Sequence, residues 1–277
     1  MNRCAFVVLC SVTASLAAQQ PAAPGFEVAS VKVNNSRETD YVFVLGPPGR
    51  VLITNAPLRG IVLQAFEIQP QLARYALVGG PERIMTTRFD INAKPPEDAL
   101  PAQTRARIRT LLTERFNLKT HTETRDIPVY ALKIATAGRF GSGFRASTHD
   151  CAAFMKSFRP GPALPEPTDA NGTSWCRANP FGADGMVLHR AGPIADLISR
   201  DLQGFMDRPI VDMTGLSGLF EWEGKFRPTS GGAGVPIDSP VPDVFTALRE
   251  QLGLKLEPQT APYEVLVIDQ VTMPTPD

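Results

Sequence analysis

The sequence repeats itself, and this constrains its fold more than any other feature. Residues 51–62 align with residues 187–198 at an offset of 136, so that Val51, Leu52 and Pro57 recur as Val187, Leu188 and Pro193. In each copy an apolar stretch ends at a proline and a helical pattern begins. Proline suits a first helical turn because its missing N–H needs no partner there. Apolar positions then fall at helical spacing, Leu58, Ile61, Val62 and Phe66 in one copy and Ile194, Leu197, Ile198 and Leu202 in the other. A second block keeps the same offset. Ile108, Leu111, Leu112 and Phe116 match Val244, Ala247, Leu248 and Leu252, and Leu118-Lys119 matches Leu254-Lys255. Between the two lies a third, in which Phe89-Asp90-Ile91 resembles Phe220-Glu221-Trp222 at an offset of 131.

Blocks in one conserved order predict a duplication. Each copy reads as strand, helix, strand, strand, helix, strand, strand, with short strands bounded by Gly or Pro. The last two strands of each copy, separated near Pro128 and Pro262, are expected to form a hairpin. The fold class is therefore α+β: two related units, each a mixed or antiparallel sheet with two helices on one face. The first unit spans 26–135, opening on an added strand at 26–33, and the second spans 185–273. Residues 136–184 form a Gly/Pro-rich linker, and a further Gly/Pro-rich loop covers 227–242.

Residues 1–17 read as a secretory signal peptide. Arg3 supplies the charge, Ala5-Phe6-Val7-Val8-Leu9-Cys10 the apolar core, and Ser15-Leu16-Ala17 the small-residue exit before Ala18. The core is shorter than the ~20 apolar residues of a bilayer span, and no later segment resembles one. The protein is expected to be exported, to the periplasm or beyond. In that compartment the two cysteines left after cleavage, Cys151 and Cys176, are expected to pair. Lys and Arg total 28 against 28 Asp and Glu, with no basic run, so neither nucleic acid nor an anionic membrane is an expected partner.

The residues that carry chemistry do not assemble into a recognisable set. The three histidines are His121, His149 and His189. His121 and Glu123 share a strand face that suits a metal in principle and a solvated sheet face better. His149-Asp150-Cys151 looks like a nucleophile group, but a disulfide removes its thiolate. His189 occupies the place of Ile53 in the first copy, which favours a core or edge position. Gly215-Leu216-Ser217-Gly218-Leu219 misses the nucleophile elbow, because a leucine stands where its last glycine is needed. Asp207, Asp212, Glu221 and Glu223 are acids near the second sheet, which suit a paired-carboxylate site in principle and exposed strand acids better. The reading thus leans away from an enzyme. It assigns no catalytic, cofactor-binding or metal-ligating residue, and no cofactor. The site residues it names are the disulfide pair, Cys151 and Cys176.

Longer motifs carry a family resemblance. Phe26-Glu27-Val28-Ala29-Ser30-Val31-Lys32, Asn55-Ala56-Pro57-Leu58, Gly79-Gly80-Pro81 and Arg88-Phe89-Asp90-Ile91 belong to it. So do Asp126-Ile127-Pro128-Val129-Tyr130, Arg208-Pro209-Ile210-Val211-Asp212 and Gln251-Leu252-Gly253-Leu254-Lys255. Together they resemble a family of exported, soil-associated proteins expanded in Acidobacteria, whose domain is also fused to BlaR-type membrane metallopeptidases. That resemblance implies a sensing or binding role outside the cytoplasm, with an envelope protein or an extracellular ligand as partner, and brings no catalytic residue. The helix before Gly253-Leu254-Lys255-Leu256 and the strand Val265-Leu266-Val267-Ile268 are similar in pattern to the short N-terminal domains of secretins and TonB-dependent receptors. The rival reading is a hydrolase of extracellular or envelope material, with its site between the two units.

The N-terminus offers a direct check. Mass spectrometry of the exported protein should find a chain that begins at Ala18; a chain that retains residues 1–17 would contradict the signal peptide.

Overall fold

The computed structural model describes residues 23–46, 49–96, 103–156, 165–177, 181–182, 185–227 and 240–274. The signal segment 1–17 and residues 228–239 of the second Gly/Pro-rich loop lie outside the described residues.

The first half of the chain runs β1 (Val28–Val33), β2 (Val42–Gly46), β3 (Arg50–Pro57), α1 (Leu58–Ala65), α2 (Ala73–Ala76), β4 (Leu77–Gly79), α3 (Glu82–Met85), β5 (Arg88–Lys94), α4 (Thr104–Phe116) and β6 (Lys119–Ile134). Then come β7 (Phe144–Ala146), α5 (Cys151–Lys156) and β8 (Phe181–Gly182). The second half repeats the order with β9 (Gly185–Gly192), α6 (Ile194–Asp196), β10 (Ile210–Asp212), β11 (Phe220–Phe226), α7 (Val244–Ala247) and β12 (Leu254–Gln270). The mixed α+β character expected from the sequence holds. The helices differ in winding: α6 runs on as a π-helical stretch, Leu197–Leu202, and α7 as another, Leu248–Leu252.

Local chemistry sets the ends of these elements. Pro57 and Pro193 stand in extended conformation at the N-caps of α1 and α6. Asp243 caps α7, its carboxylate accepting from the Phe245 and Thr246 backbone N–H groups. α4 stops at Asn117 and the helix after α7 stops at Gly253, both left-handed, with φ of 49° and 71°. Such a residue turns the chain out of a helix, and here it launches a long strand in each half. Gly253 has a second reason to be glycine, since a Cβ there would lie 2.7 Å from the Gly141 nitrogen.

Among the described residues three four-stranded sheets result, in the orders β1-β5-β3-β2, β10-β6-β12-β4 and β7-β11-β9-β8. The expected hairpins do not form. Residues 119–134 make one strand and 254–270 another, and these two pair with each other, antiparallel, over nearly their whole length. Pro128 faces Thr260 and Pro262 faces Asp126 in that register. The prolines are tolerated because no third strand lies beside them: β10 joins β6 at Tyr130–Leu132 and β4 joins β12 at Leu266–Ile268. A missing N–H on a free flank breaks no ladder bond.

The central sheet also exchanges strands between halves. β10, from the second half, lies parallel on β6, and β4, from the first, lies parallel on β12. The cores follow. Ile61, Phe89, Leu112 and Phe116 pack with Leu266, Ile268 and Val271 from the chain end. Leu197, Trp222, Phe226 and Leu248 pack with Leu132 from β6. The second core holds a buried polar cluster. Asp201, 1% exposed, accepts from Trp222 Nε1 at 2.7 Å and from Arg190 Nε at 3.2 Å. Burial raises the Asp201 pKa, against the pull of Arg190 and Trp222.

Both helical stripes dock as their spacing predicts. Leu58, Ile61 and Val62 are buried with Phe66 at their margin, and Ile194, Leu197 and Leu202 are buried with Ile198 at theirs. Arg200 stays 60% exposed beside Asp196. Leu197→Ala should therefore lower stability in a denaturant melt by about 2–5 kcal/mol through lost burial and a cavity. Arg200→Ala should shift it by no more than ~0.5 kcal/mol.

Candidate functional site

The most concentrated polar chemistry lies on the outward face of the third sheet. Side chains alternate along a strand, so Trp222 and Leu188 point into the second core while Glu221, Glu223 and His189 point away from it. Register sets Glu223 directly opposite His189, Lys225 opposite Val187, and Arg145 of β7 opposite Glu221.

The linker folds back over this face. Cys151 and Cys176 form the expected disulfide, with Cα atoms 5.1 Å apart. They pack with Phe154, Trp175 and Ala191 of β9 in a small core of their own. The Ala191 N–H donates to the Trp175 carbonyl at 3.0 Å, which fixes the returning chain against β9. The Trp175 indole then stacks on the His189 ring, centroids 3.8 Å apart and planes 16° from parallel. The Arg145 guanidinium lies 5.4 Å from the centre of the same indole.

Beneath this cap Glu221 is 7% exposed and well supplied with partners. Arg145 Nη2 lies 2.6 Å from its Oε2, and Ser147 Oγ donates to its Oε1 at 2.8 Å. His149 Nδ1 is 2.9 Å from the same Oε1 but off the line a hydrogen bond requires. Ser147 Oγ also accepts from the His149 backbone N–H. Its proton is thus directed to a carboxylate. The thiols of Cys151 and Cys176 are consumed in the bridge. Together these contacts hold the linker against the sheet.

Beside the cap opens a cleft of about 630 Å³, lined by Asp169, Thr173, Val187, His189, Glu223 and Gln251 among others. Asp169 anchors a tight turn, its Oδ1 accepting from the Asn171 and Thr173 backbone N–H groups. Those bonds, that from Thr173 foremost, lower its pKa, so it stays a carboxylate. Its Oδ2 faces His189 Nε2 across 4.0 Å, and that ring nitrogen is buried without a hydrogen-bond partner. Nearby, a bidentate bond from Arg177 holds Glu166 at a pKa of about 2.

A second cleft, of about 440 Å³, lies where the two halves meet. Phe66, Ile68 and Leu72 from the first half face Ile198 and Ile210 from the second, over a floor that includes Val265 of β12. Gln71 Nε2 donates to the Gln203 carbonyl at 3.1 Å, and Arg74 bonds Asp207 through its carbonyl and carboxylate. Glu264 and Tyr263 sit at the rim, and burial raises the pKa of the tyrosine.

The other sequence candidates serve local structure. His121 binds Asp269 at 2.9 Å on the exposed central sheet, which raises its pKa. Its neighbour Glu123 pairs with Arg125. Among the described residues no group of three His, Cys, Asp or Glu side chains is placed to hold a metal ion. Asp207 pairs with Arg74, and Asp212 accepts from Thr214 in a turn. Ser217 lies in the loop between β10 and β11. The fold therefore gathers His149, His189, Glu221, Glu223 and the disulfide, all weighed separately in the sequence, and adds Arg145, Ser147, Asp169 and Trp175, for which no motif spoke.

A family model described as protein of unknown function (DUF3738) matches residues 59–271. The match covers the helices and long strands of both halves, and the chain belongs to this family. No curated protein and no solved structure matches it.

The cap depends on its bridge. Replacing Cys151 and Cys176 together by serine removes a cross-link between residues 25 apart in sequence. By the chain-entropy argument this should cost about 3 kcal/mol. Denaturant melts of the oxidised protein and the double variant should show that difference, and reductant should remove it.

Proposed function

We propose that the protein is an exported binding module of the cell envelope, derived by duplication of one α+β unit, with the junction cleft as its principal binding surface. The observation that carries this reading is the composition of that cleft. Apolar side chains from both halves line it together with polar groups such as Gln69, Thr122 and Gln203, as in sites that hold a partly apolar ligand or a partner side chain. Bonds across the junction from Gln71 and Arg74 keep its walls in register. The matching element order of the two halves supports duplication, and the signal-like N-terminus and the disulfide support export. A sensing role fits the same cleft, since a ligand there touches both halves at once.

For a hydrolase in that cleft, Ser199 is the serine of its lining. Titration with the neutral apolar dye Nile red should give saturable fluorescence enhancement. Ser199→Trp, which fills the cleft from an exposed position, should weaken it at least tenfold without altering the thermal melt. Turnover of p-nitrophenyl acetate that disappears in Ser199→Ala would instead establish the hydrolase.

A further inference from the structure

The cleft beside the disulfide cap is separate from the junction cleft and has a different character. It holds a buried group whose hydrogen bonding is incomplete. His189 is 7% exposed, and its Nε2 has no partner. A buried polar nitrogen left so costs free energy unless something supplies the missing bond. The ring cannot turn away to find one, because Trp175 is stacked flat on it. The Asp169 carboxylate lies 4.0 Å off, too far for a direct bond. It cannot come closer without loosening the turn in which its Oδ1 holds the Asn171 and Thr173 N–H groups.

The gap sets the chemistry of what fills it. An oxygen placed off the line between the two groups is within reach of both. With the ring protonated on Nε2, a hydroxyl there donates to Asp169 and accepts from the imidazole. An anion meets two carboxylates, Asp169 and Glu223, beside the His189 edge. A cation meets Lys225 and Arg177 at the same cleft. The rest of the lining repeats the demand for a neutral ligand with many hydroxyls. Glu223, exposed on β11 directly opposite His189, accepts; Asn171 and Thr173 both donate and accept. The floor is firm, because Gln251 bonds the Lys225 backbone through both ends of its amide. The volume, about 630 Å³, lies within the range of small-molecule sites.

We propose that this cleft is a carbohydrate-binding site, in which a sugar hydroxyl bridges His189 Nε2 and Asp169 Oδ2 while further hydroxyls bond Glu223, Asn171 and Thr173. The site is independent of the junction cleft. Trp175 gives it a built-in reporter, since a ligand on His189 alters the ring against which the indole stacks.

The test is tryptophan fluorescence with parallel titration calorimetry on the full oxidised chain. The probes are glucose, xylose, N-acetylglucosamine, cellobiose, maltose and chitobiose, with diglycine, putrescine and inorganic phosphate as other classes. At least one saccharide should saturate the signal. Asp169→Asn, which keeps the turn because its side-chain oxygen still accepts the two N–H bonds, should weaken that binding at least tenfold. Glu223→Gln should weaken it as well. Ser199→Trp should leave it unchanged, which separates this site from the junction cleft. The proposal is overturned if no saccharide gives a saturable response by either method. It is equally overturned if diglycine, putrescine or phosphate alone binds, or if saccharide binding survives both Asp169→Asn and Glu223→Gln.

Discussion

The antiparallel pairing of β6 with β12 is the interaction on which the rest of the structure depends. It runs from Ile134 against Leu254 to Lys119 against Gln270. Each strand starts in the core of its own half and ends in the core of the other. Leu118, just before β6, is packed in the first core and Leu132, near its end, in the second; Leu254 and Leu256 open β12 in the second core, and Leu266 and Ile268 close it in the first. The two halves therefore interlock. Removing β12 would open both hydrophobic cores and take away the support of β4, and removing β6 would open the second and take away the support of β10.

The same pairing explains what the sequence could and could not disclose. Helix positions were legible because their evidence is local: a proline before Leu58 or Ile194, and apolar residues three and four apart after it. The long strands were not. Pro128 and Pro262 look like turn residues to any reader of local pattern, and only the partner strand, more than a hundred residues away, shows that they lie on free flanks of a continuous ladder. The π-helical winding at Leu197–Leu202 and Leu248–Leu252 keeps an apolar stripe much like that of an α-helix, so apolar spacing alone does not distinguish the two.

The polar face of the third sheet teaches a related lesson. Cys151 and Cys176 could be paired on the chemistry of the compartment, without geometry. His149, His189 and Glu221 could not be brought together, because the linker that carries His149 had no periodicity from which to place it. Trp175 had no signal at all. It earns its place by packing, between a disulfide and an imidazole, and such a role leaves no motif. His189 shows the reverse case. Its position matches Ile53, which argued for an apolar setting; the aromatic stack on Trp175 provides one for the flat of the ring, while the ring edge faces a carboxylate.

The exchange of strands has a consequence for how the chain becomes stable. A ribosome delivers residues 26–135 well before residues 254–271, yet Leu266, Ile268 and Val271 belong to the first core. Until they emerge, that core has an open wall, and β6 has no long partner. Pairs more than a hundred residues apart close slowly, because a large loop must be ordered before any contact rewards it. The order in which this protein is synthesised is thus not the order in which it can hold its shape. Its first half waits for its last strand, and a chain broken off short of residue 254 loses more than its tail.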